Sequence, residues 1–106
     1  MSEELKQFIN KNKSLFWYTP ESELLNLDDS FLIETILNYG DWNAVKELFK
    51  ILGIKTVANT VFHDINLSER RRNNYNEQTL NFFTHLFNRH APEEKINRIV
   101  NTFLNP

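Results

Sequence analysis

The chain lacks cysteine altogether and has only two glycines among its 106 residues. Without cysteine it has no disulfide, no thiolate nucleophile and no thiolate ligand for zinc. Two glycines are too few for a loop that cradles phosphate through closely spaced backbone amides. No apolar run approaches the roughly 18 residues that a membrane-spanning helix needs. These absences exclude the commonest nucleotide-binding and membrane-spanning classes.

Signals for export and for catalysis are also missing. The N-terminal MSEELKQFIN lacks the basic-then-apolar order of a signal peptide, so we expect a cytoplasmic protein with no membrane association. Three acidic pairs each lie where a helix is predicted to begin, and the helix dipole accounts for them: Glu3-Glu4, Asp28-Asp29 and Glu93-Glu94. The three histidines (His63, His85 and His90) are not spaced as a helical metal pair. We therefore predict no enzyme, no metal and no cofactor.

Charge is unevenly distributed along the chain. Residues 1–40 hold seven acidic and three basic side chains, which gives −4, whereas residues 41–106 hold seven acidic and nine basic ones, which gives +2. All three histidines lie in the second part as well. This asymmetry weakly favours an anionic contact from the second half of the chain.

The two glycines are predicted to end helices in the left-handed backbone region. Apolar residues at helical spacing precede Gly40, namely Phe31, Leu32, Ile36 and Tyr39. The same spacing recurs before Gly53, with Trp42, Val45, Leu48, Phe49 and Leu52. Asp41 is a favourable N-cap directly after Gly40, so one helix should close and the next open with almost no loop.

Similar patterns predict the other helices. Ser2 should cap a helix over about 3–12, and Thr19 with Pro20 should open a short one. After Gly53, a helix should bury Val57, Ala58, Val61, Phe62 and Ile65. Asn76 should cap a helix that buries Leu80, Phe83 and Phe87, with Phe82 and Leu86 widening its apolar face. Pro92 should open a last helix that buries Ile96, Ile99, Val100 and Phe103.

An arginine run, Arg70 to Arg72, lies in the Asn-rich stretch NLSERRRNNYNEQT. This stretch is too polar to bury and too rich in asparagine to favour a helix, so its preferred interpretation is a mobile solvated loop. The alternative is a contact with an acidic protein surface or with RNA, because guanidinium groups match carboxylates and phosphates. Tyr75 could then stack on a base. Trp17, Tyr18 and Trp42 are assigned to the core or its half-buried rim in preference to a binding surface.

The helices around Gly53 also resemble a helix-turn-helix, a DNA-binding motif. Leu48, Leu52 and Ile54 are apolar where that motif packs, but Phe49 is large where it needs a small residue. The second helix offers Lys55, Asn59 and His63 for nucleic-acid contacts. Packing of two helices in an ordinary bundle is the preferred interpretation.

Several motifs occur in an order that resembles a known family. They are Phe16-Trp17, Gly40-Asp41, Gly53 and Thr79-Leu80-Asn81-Phe82. Over residues 15–88 this order is similar to short, uncharacterised bacterial proteins described as antitoxin-like, which are often encoded beside nucleotidyltransferase-type toxins. The chain departs from the family at Tyr18 (Asp in members), at Phe83 (Trp in members) and in the insertion-like SERRRNNYN. The resemblance implies a non-enzymatic, partner-binding protein and transfers no catalytic residue.

Together these observations predict a compact, single-domain all-α bundle of five to six short helices over residues 1–106, with a polar loop at about 66–76. The leading hypothesis is a small, non-enzymatic cytoplasmic protein-interaction module, antitoxin-like by resemblance, that contacts a protein partner through Arg70, Arg71, Arg72, Tyr75, Trp17 and Trp42. The alternative is a helix-turn-helix-like regulator that binds nucleic acid through Lys55, Asn59, His63, Arg70, Arg71 and Arg72.

Overall fold

The computed structural model describes residues 2–90. All regular structure in this range is helical, which confirms the predicted all-α class. Within residues 2–90 there are six α-helices, namely α1 (Glu3–Lys11), α2 (Asp29–Tyr39), α3 (Trp42–Leu52), α4 (Ile54–Leu67), α5 (Glu69–Arg72) and α6 (Glu77–His90). Two 3₁₀ helices, Lys13–Phe16 and Glu21–Asn26, follow α1 in the chain. No helix in the described range has both the length and the apolar character for crossing a membrane. The helix expected from Pro92 lies outside the described residues.

The backbone divides into two compact units, unit 1 (Met1–Gly53) and unit 2 (Ile54–Pro106). A single domain over residues 1–106 stays a prediction.

Unit 1 ends at Gly53, whose φ of 88° lies in the region that side chains disfavour. The Gly53 amide donates to the Phe49 carbonyl at 2.8 Å, which closes α3. The prediction that this glycine ends a helix with positive φ is confirmed.

Side-chain caps start the predicted helices of unit 1. The Ser2 hydroxyl accepts a hydrogen bond from the Leu5 amide at 3.2 Å, and the Asp41 carboxylate accepts one from the Ala44 amide at 2.8 Å. Such caps typically stabilise a helix by about 1 kcal/mol. Both capping predictions are confirmed, because serine and aspartate offer an acceptor to amides that the first helical turn leaves open.

Gly40 does not have the predicted conformation. Its φ of −73° and ψ of 154° are extended, outside the left-handed region. Space explains the glycine instead, because a Cβ there would lie 2.7 Å from the Ile36 carbonyl oxygen and 3.3 Å from the Ala44 Cβ. Because Gly40 has no Cβ, its backbone can lie close to Ile36 and Ala44. This close approach allows α2 to end and α3 to begin within two residues.

The short helix expected after the first aromatic stretch is present as a 3₁₀ helix, Glu21–Asn26, but its predicted cap is wrong by one residue. Pro20, in place of Thr19, holds the N-cap position. The Pro20 carbonyl accepts from the Glu23 amide at 2.9 Å. Proline suits this position because its missing N–H has no partner at a helix start.

Unit 1 buries one apolar face from each of its helices. α1 packs against α3 and the second 3₁₀ helix, and α2 packs against α3 and the first 3₁₀ helix. The buried apolar residues are Leu5, Phe8, Ile9, Phe16, Leu24, Leu32, Ile33, Ile36, Leu37, Ala44, Val45 and Leu48. Tyr39 and Trp42 are exposed although helical spacing places them on apolar stripes.

Unit 2 is built on α4, which packs against α5 and α6. All five residues predicted to face inward from α4 are buried, as are Leu80, Phe83 and Phe87 of α6. The Phe62 and Phe87 rings meet edge to face with centroids 6.1 Å apart. The Asn76 carbonyl accepts from the Leu80 amide, in agreement with a helix that starts after Asn76. Phe82, expected to widen the apolar face, is 52% exposed.

Candidate functional site

The arginine run lies in α5, so the predicted loop is wrong at these residues. The Ser68 hydroxyl caps α5 by accepting from the Arg71 amide at 3.1 Å. The Arg72 amide donates to the Ser68 carbonyl at 3.0 Å, which closes one helical turn. Serine followed by Glu69 is an N-terminal capping signal that the Asn-rich composition obscures. The helical turn separates the three arginines onto different sides.

Arg71 is engaged within unit 2. Its guanidinium Nη2 lies 3.5 Å from Oδ1 of Asp64, whose side chain is 2% exposed, while the Arg71 side chain is 37% exposed. Asp64 lies on the buried face of α4 among apolar residues. A buried carboxylate needs such a counter-charge because desolvation penalises its ionised form. Arg71 therefore anchors α5 to α4, and Asp64 is a residue that sequence reasoning missed.

Arg70 is exposed, whereas Arg72 is half-buried. Arg72 lines a cavity of about 640 Å³ together with Tyr75 and the start of α6, including Glu77 and Gln78. Of the three arginines, Arg70 is the exposed one, whereas Arg71 and Arg72 are half-buried. The three arginines are not an equivalent basic cluster, and a contact with a partner would depend mainly on Arg70.

Tyr75 is 4% exposed, so its ring is in the core of unit 2. A buried ring has no free face for a nucleotide base, which removes the role considered for it in stacking. Tyr75 follows α5 directly, and its amide donates to the Arg72 carbonyl at 3.1 Å. In the sequence, Tyr75 is a lone aromatic residue in a polar stretch. Such a residue can pack into the core and hold the stretch in place, or it can bind a ligand, and the sequence does not distinguish the two.

The residues of the nucleic-acid hypothesis share one face of α4. Lys55, Asn59 and His63 are all exposed and are spaced four residues apart. However, α3 ends at Leu52 and α4 begins at Ile54, so a single residue connects them. A helix-turn-helix uses a turn of about three to four residues. The connection at Gly53 therefore argues against that motif, while the polar face of α4 is available for contact.

The exposed aromatic residues of unit 1 are the other set of candidate residues. Trp17 is 71% exposed and Trp42 is 49% exposed, so the prediction of a place in the core is wrong for both, and that of a half-buried rim is wrong for Trp17. Two tyrosines accompany them, Tyr18 at 77% and Tyr39 at 64%. Each tryptophan is close in sequence to a tyrosine, at the turn between the 3₁₀ helices and at the connection from α2 to α3. Tyr18 and Tyr39 are absent from the sequence-based site.

Within residues 2–90, no group of three or more histidine and acidic side chains could hold a metal ion. The candidate residues in the described part of the chain are therefore the exposed tryptophans and tyrosines of unit 1 and, in unit 2, the exposed polar and basic residues of α4 and α5.

Comparison with protein-family models, with curated proteins and with solved structures finds no match to this chain.

Proposed function

We propose that this chain is a small, non-enzymatic protein-interaction module of the cytoplasm, and that unit 1 binds the partner. The observation that supports this is the exposure of Trp17, Tyr18, Tyr39 and Trp42. Tryptophan and tyrosine are the residues that most often dominate the energy of protein interfaces, because they bury large apolar areas at little conformational cost. Large apolar side chains exposed next to each other are typical of a surface that a partner covers, and the Trp17 and Tyr18 rings lie against each other.

The resemblance to antitoxin-like proteins supports a specific partner. Members of that family are often encoded beside nucleotidyltransferase-type toxins, so we propose that the partner is the product of the adjacent gene. Phe16-Trp17 is one of the motifs on which the resemblance depends. Its tryptophan is exposed, whereas its phenylalanine is buried. In this proposal Phe16 holds the turn in place and Trp17 contacts the partner.

Co-expression with the product of the adjacent gene tests the proposal. We expect the two proteins to elute together at a fixed ratio in size-exclusion chromatography. Trp17→Ala combined with Trp42→Ala should weaken the complex strongly, since each lost interface anchor costs about 2 kcal/mol, or roughly 30-fold in Kd. Phe82→Ala is the matched control, because Phe82 is an exposed aromatic of unit 2. Separate elution of the wild-type proteins contradicts the proposal.

A second candidate function is nucleic-acid binding through unit 2. The exposed face of α4 with Lys55, Asn59 and His63, together with exposed Arg70, favours it. Phosphate contacts make such binding steeply dependent on salt. A gel-shift titration at low and high salt checks this, with Lys55→Ala and Arg70→Ala expected to weaken any shift. A shift that these substitutions leave unchanged excludes this surface.

A further inference from the structure

The turn that holds Trp17 and Tyr18 is anchored at its start by a buried phenylalanine. Phe16, just before it, is buried, and its ring lies 6.2 Å from that of Phe31 in α2. At the other end, the Lys13 ammonium lies 3.6 Å from the Glu21 carboxylate in an exposed ion pair between the two 3₁₀ helices, and such a pair adds little to the anchoring. We call residues 17–20 the aromatic turn. Its two aromatic side chains are therefore displayed from an anchored backbone.

The two rings of the aromatic turn lie against each other. The centroids of Trp17 and Tyr18 are 3.5 Å apart and their planes are inclined by 31°. Both side chains are more than two-thirds exposed. Adjacent rings with exposed faces carry the negative side of the aromatic quadrupole towards solvent, and cations bind to such faces.

A groove begins at Glu21, the residue that follows the aromatic turn in the chain. It has a volume of about 370 Å³ and is lined by two carboxylates, Glu3 and Glu21, by the apolar Leu24 and Leu25, and by one cation, Lys6. Leu25 is an exposed hydrophobic residue, so the groove has an apolar wall open to solvent. Carboxylates beside an apolar wall suit a side chain with an aliphatic stem and a charged end, which describes lysine and arginine.

The segment around the aromatic turn is acidic. Residues 13–29 contain one basic side chain, Lys13, and four acidic ones, Glu21, Glu23, Asp28 and Asp29, which gives −3. This field attracts cations and repels phosphates. The aromatic residues are therefore placed in surroundings that disfavour a nucleic acid as the stacking partner.

We infer that the aromatic turn and the groove that begins at Glu21 bind a cationic segment, rich in arginine or lysine, of the partner protein. A guanidinium group of that segment stacks on the rings of Trp17 and Tyr18, and a second cationic side chain enters the groove between Glu3 and Glu21. The aliphatic part of this second side chain packs on Leu25. This inference rests on the proposed function and specifies the chemistry of the partner.

An oligoarginine peptide is the probe for this inference, and the full-length chain is used throughout. Trp17 and Trp42 are the only tryptophans of the protein, so Trp42→Phe leaves Trp17 as the single tryptophan reporter. We expect the peptide to change the Trp17 emission in a saturable manner. An oligoglutamate peptide should cause no change. A peptide that binds without altering Trp17 emission overturns the inference.

Variants separate the contribution of the aromatic rings to peptide affinity from the contribution of the negative charge. With a labelled peptide followed by fluorescence anisotropy, Trp17→Ala combined with Tyr18→Ala should weaken binding about tenfold, which corresponds to about 1.4 kcal/mol. Glu3→Gln combined with Glu23→Gln removes two unit 1 carboxylates, one of them in the groove, leaves the Lys13–Glu21 pair intact, and should weaken binding about threefold to tenfold. Glu69→Gln combined with Glu77→Gln makes the same change of charge in unit 2 and should leave Kd within about twofold. Circular dichroism checks that each variant folds.

Three further results overturn the inference. The first is unchanged peptide affinity after removal of both rings. The second is an equal loss from the unit 1 and unit 2 charge variants, since that indicates attraction by net charge alone. The third is tighter binding of a single-stranded RNA oligonucleotide than of oligoarginine at Trp17.

The inference and the proposed function fail separately. If the product of the adjacent gene co-elutes and requires Trp17 and Trp42, but oligoarginine does not bind, the partner chemistry is wrong and the interaction module stands. If oligoarginine binds at the aromatic turn but the adjacent gene product elutes alone, the proposed partner is wrong and the cationic specificity stands.

Discussion

Units 1 and 2 are both helical, but they use their charged and aromatic side chains in opposite ways. Residues 1–53 hold nine acidic and five basic side chains, a net −4, and residues 54–106 hold five acidic and seven basic ones, a net +2. Unit 1 leaves four tryptophan and tyrosine side chains exposed, whereas unit 2 buries Tyr75 and uses Arg71 to balance Asp64. The comparison teaches that part of the arginine run is engaged within unit 2, whereas the tryptophan and tyrosine side chains of unit 1 are exposed.

The largest effect on stability is expected from a buried phenylalanine of α6, and an exposed phenylalanine of the same helix is its control. Phe87 is fully buried in unit 2 and meets Phe62 and Phe83, whereas Phe82 is exposed. Phe87→Ala should lower the free energy of unfolding by about 3–5 kcal/mol, because it removes buried area and leaves a cavity. Phe82→Ala should lower it by about 1 kcal/mol or less. Urea unfolding followed by circular dichroism measures both, and equal losses contradict the assigned core of unit 2.

The ion pair of unit 2 gives the next largest effect. Arg71→Ala should lower the free energy of unfolding by about 2–3 kcal/mol, because it leaves the carboxylate of Asp64 buried without the guanidinium. Arg70→Ala removes the same charge from an exposed position and should change stability by less than about 0.5 kcal/mol. The same unfolding experiment compares the two variants. Similar effects would show that the arginines are equivalent, which contradicts the division of roles within α5.

Gly40 tests the tight connection in unit 1. Gly40→Ala places a methyl group 2.7 Å from the backbone oxygen of Ile36. Relief requires a shift of backbone, so we expect a loss of about 1–3 kcal/mol in the free energy of unfolding. Asn43→Ala, an exposed change in the next helix, is the control and should be near neutral. A Gly40→Ala protein as stable as the wild type would show that the close approach is not required.

Removal of the α5 cap should have the smallest effect on stability. It also tests whether a change in unit 2 affects the peptide binding expected of unit 1. Ser68→Ala should lower the free energy of unfolding by about 1 kcal/mol, because the Arg71 amide loses its acceptor. Ser22→Ala, an exposed serine of unit 1, is the control. Since oligoarginine is expected to bind unit 1, Ser68→Ala should leave its affinity unchanged in the anisotropy titration. A parallel loss of affinity would place the binding surface in unit 2.

Local signals in the sequence were sufficient for most of the helices. Ser2 and Asp41 cap the predicted helices because capping depends on an acceptor and a few neighbouring amides. The inward residues of α4 follow from helical spacing alone. Gly53 ends α3 with positive φ as predicted. In each of these cases the decisive contacts lie within a few residues of one another in the chain.

Features that depend on neighbouring elements were not predicted. Gly40 is required by its distance from Ile36 and Ala44, which a single-helix pattern does not contain. α5 is stabilised by the contact of Arg71 with Asp64, which overrides the poor helix propensity of its surroundings. Tyr39 and Trp42 occupy the last and first positions of their helices. Helical spacing predicts on which face of the helix such residues lie. It does not predict whether another helix extends far enough to cover them.

Quenching of tryptophan fluorescence by acrylamide tests the central claim most directly, with Trp17 as the only tryptophan in the Trp42→Phe protein. In the free protein Trp17 is exposed, so we expect efficient quenching. Addition of the adjacent gene product should protect Trp17 from acrylamide in proportion to the complex formed. Efficient quenching that persists when the complex is fully formed would show that Trp17 is not covered, and would contradict the proposal that unit 1 binds the partner through its exposed aromatic residues.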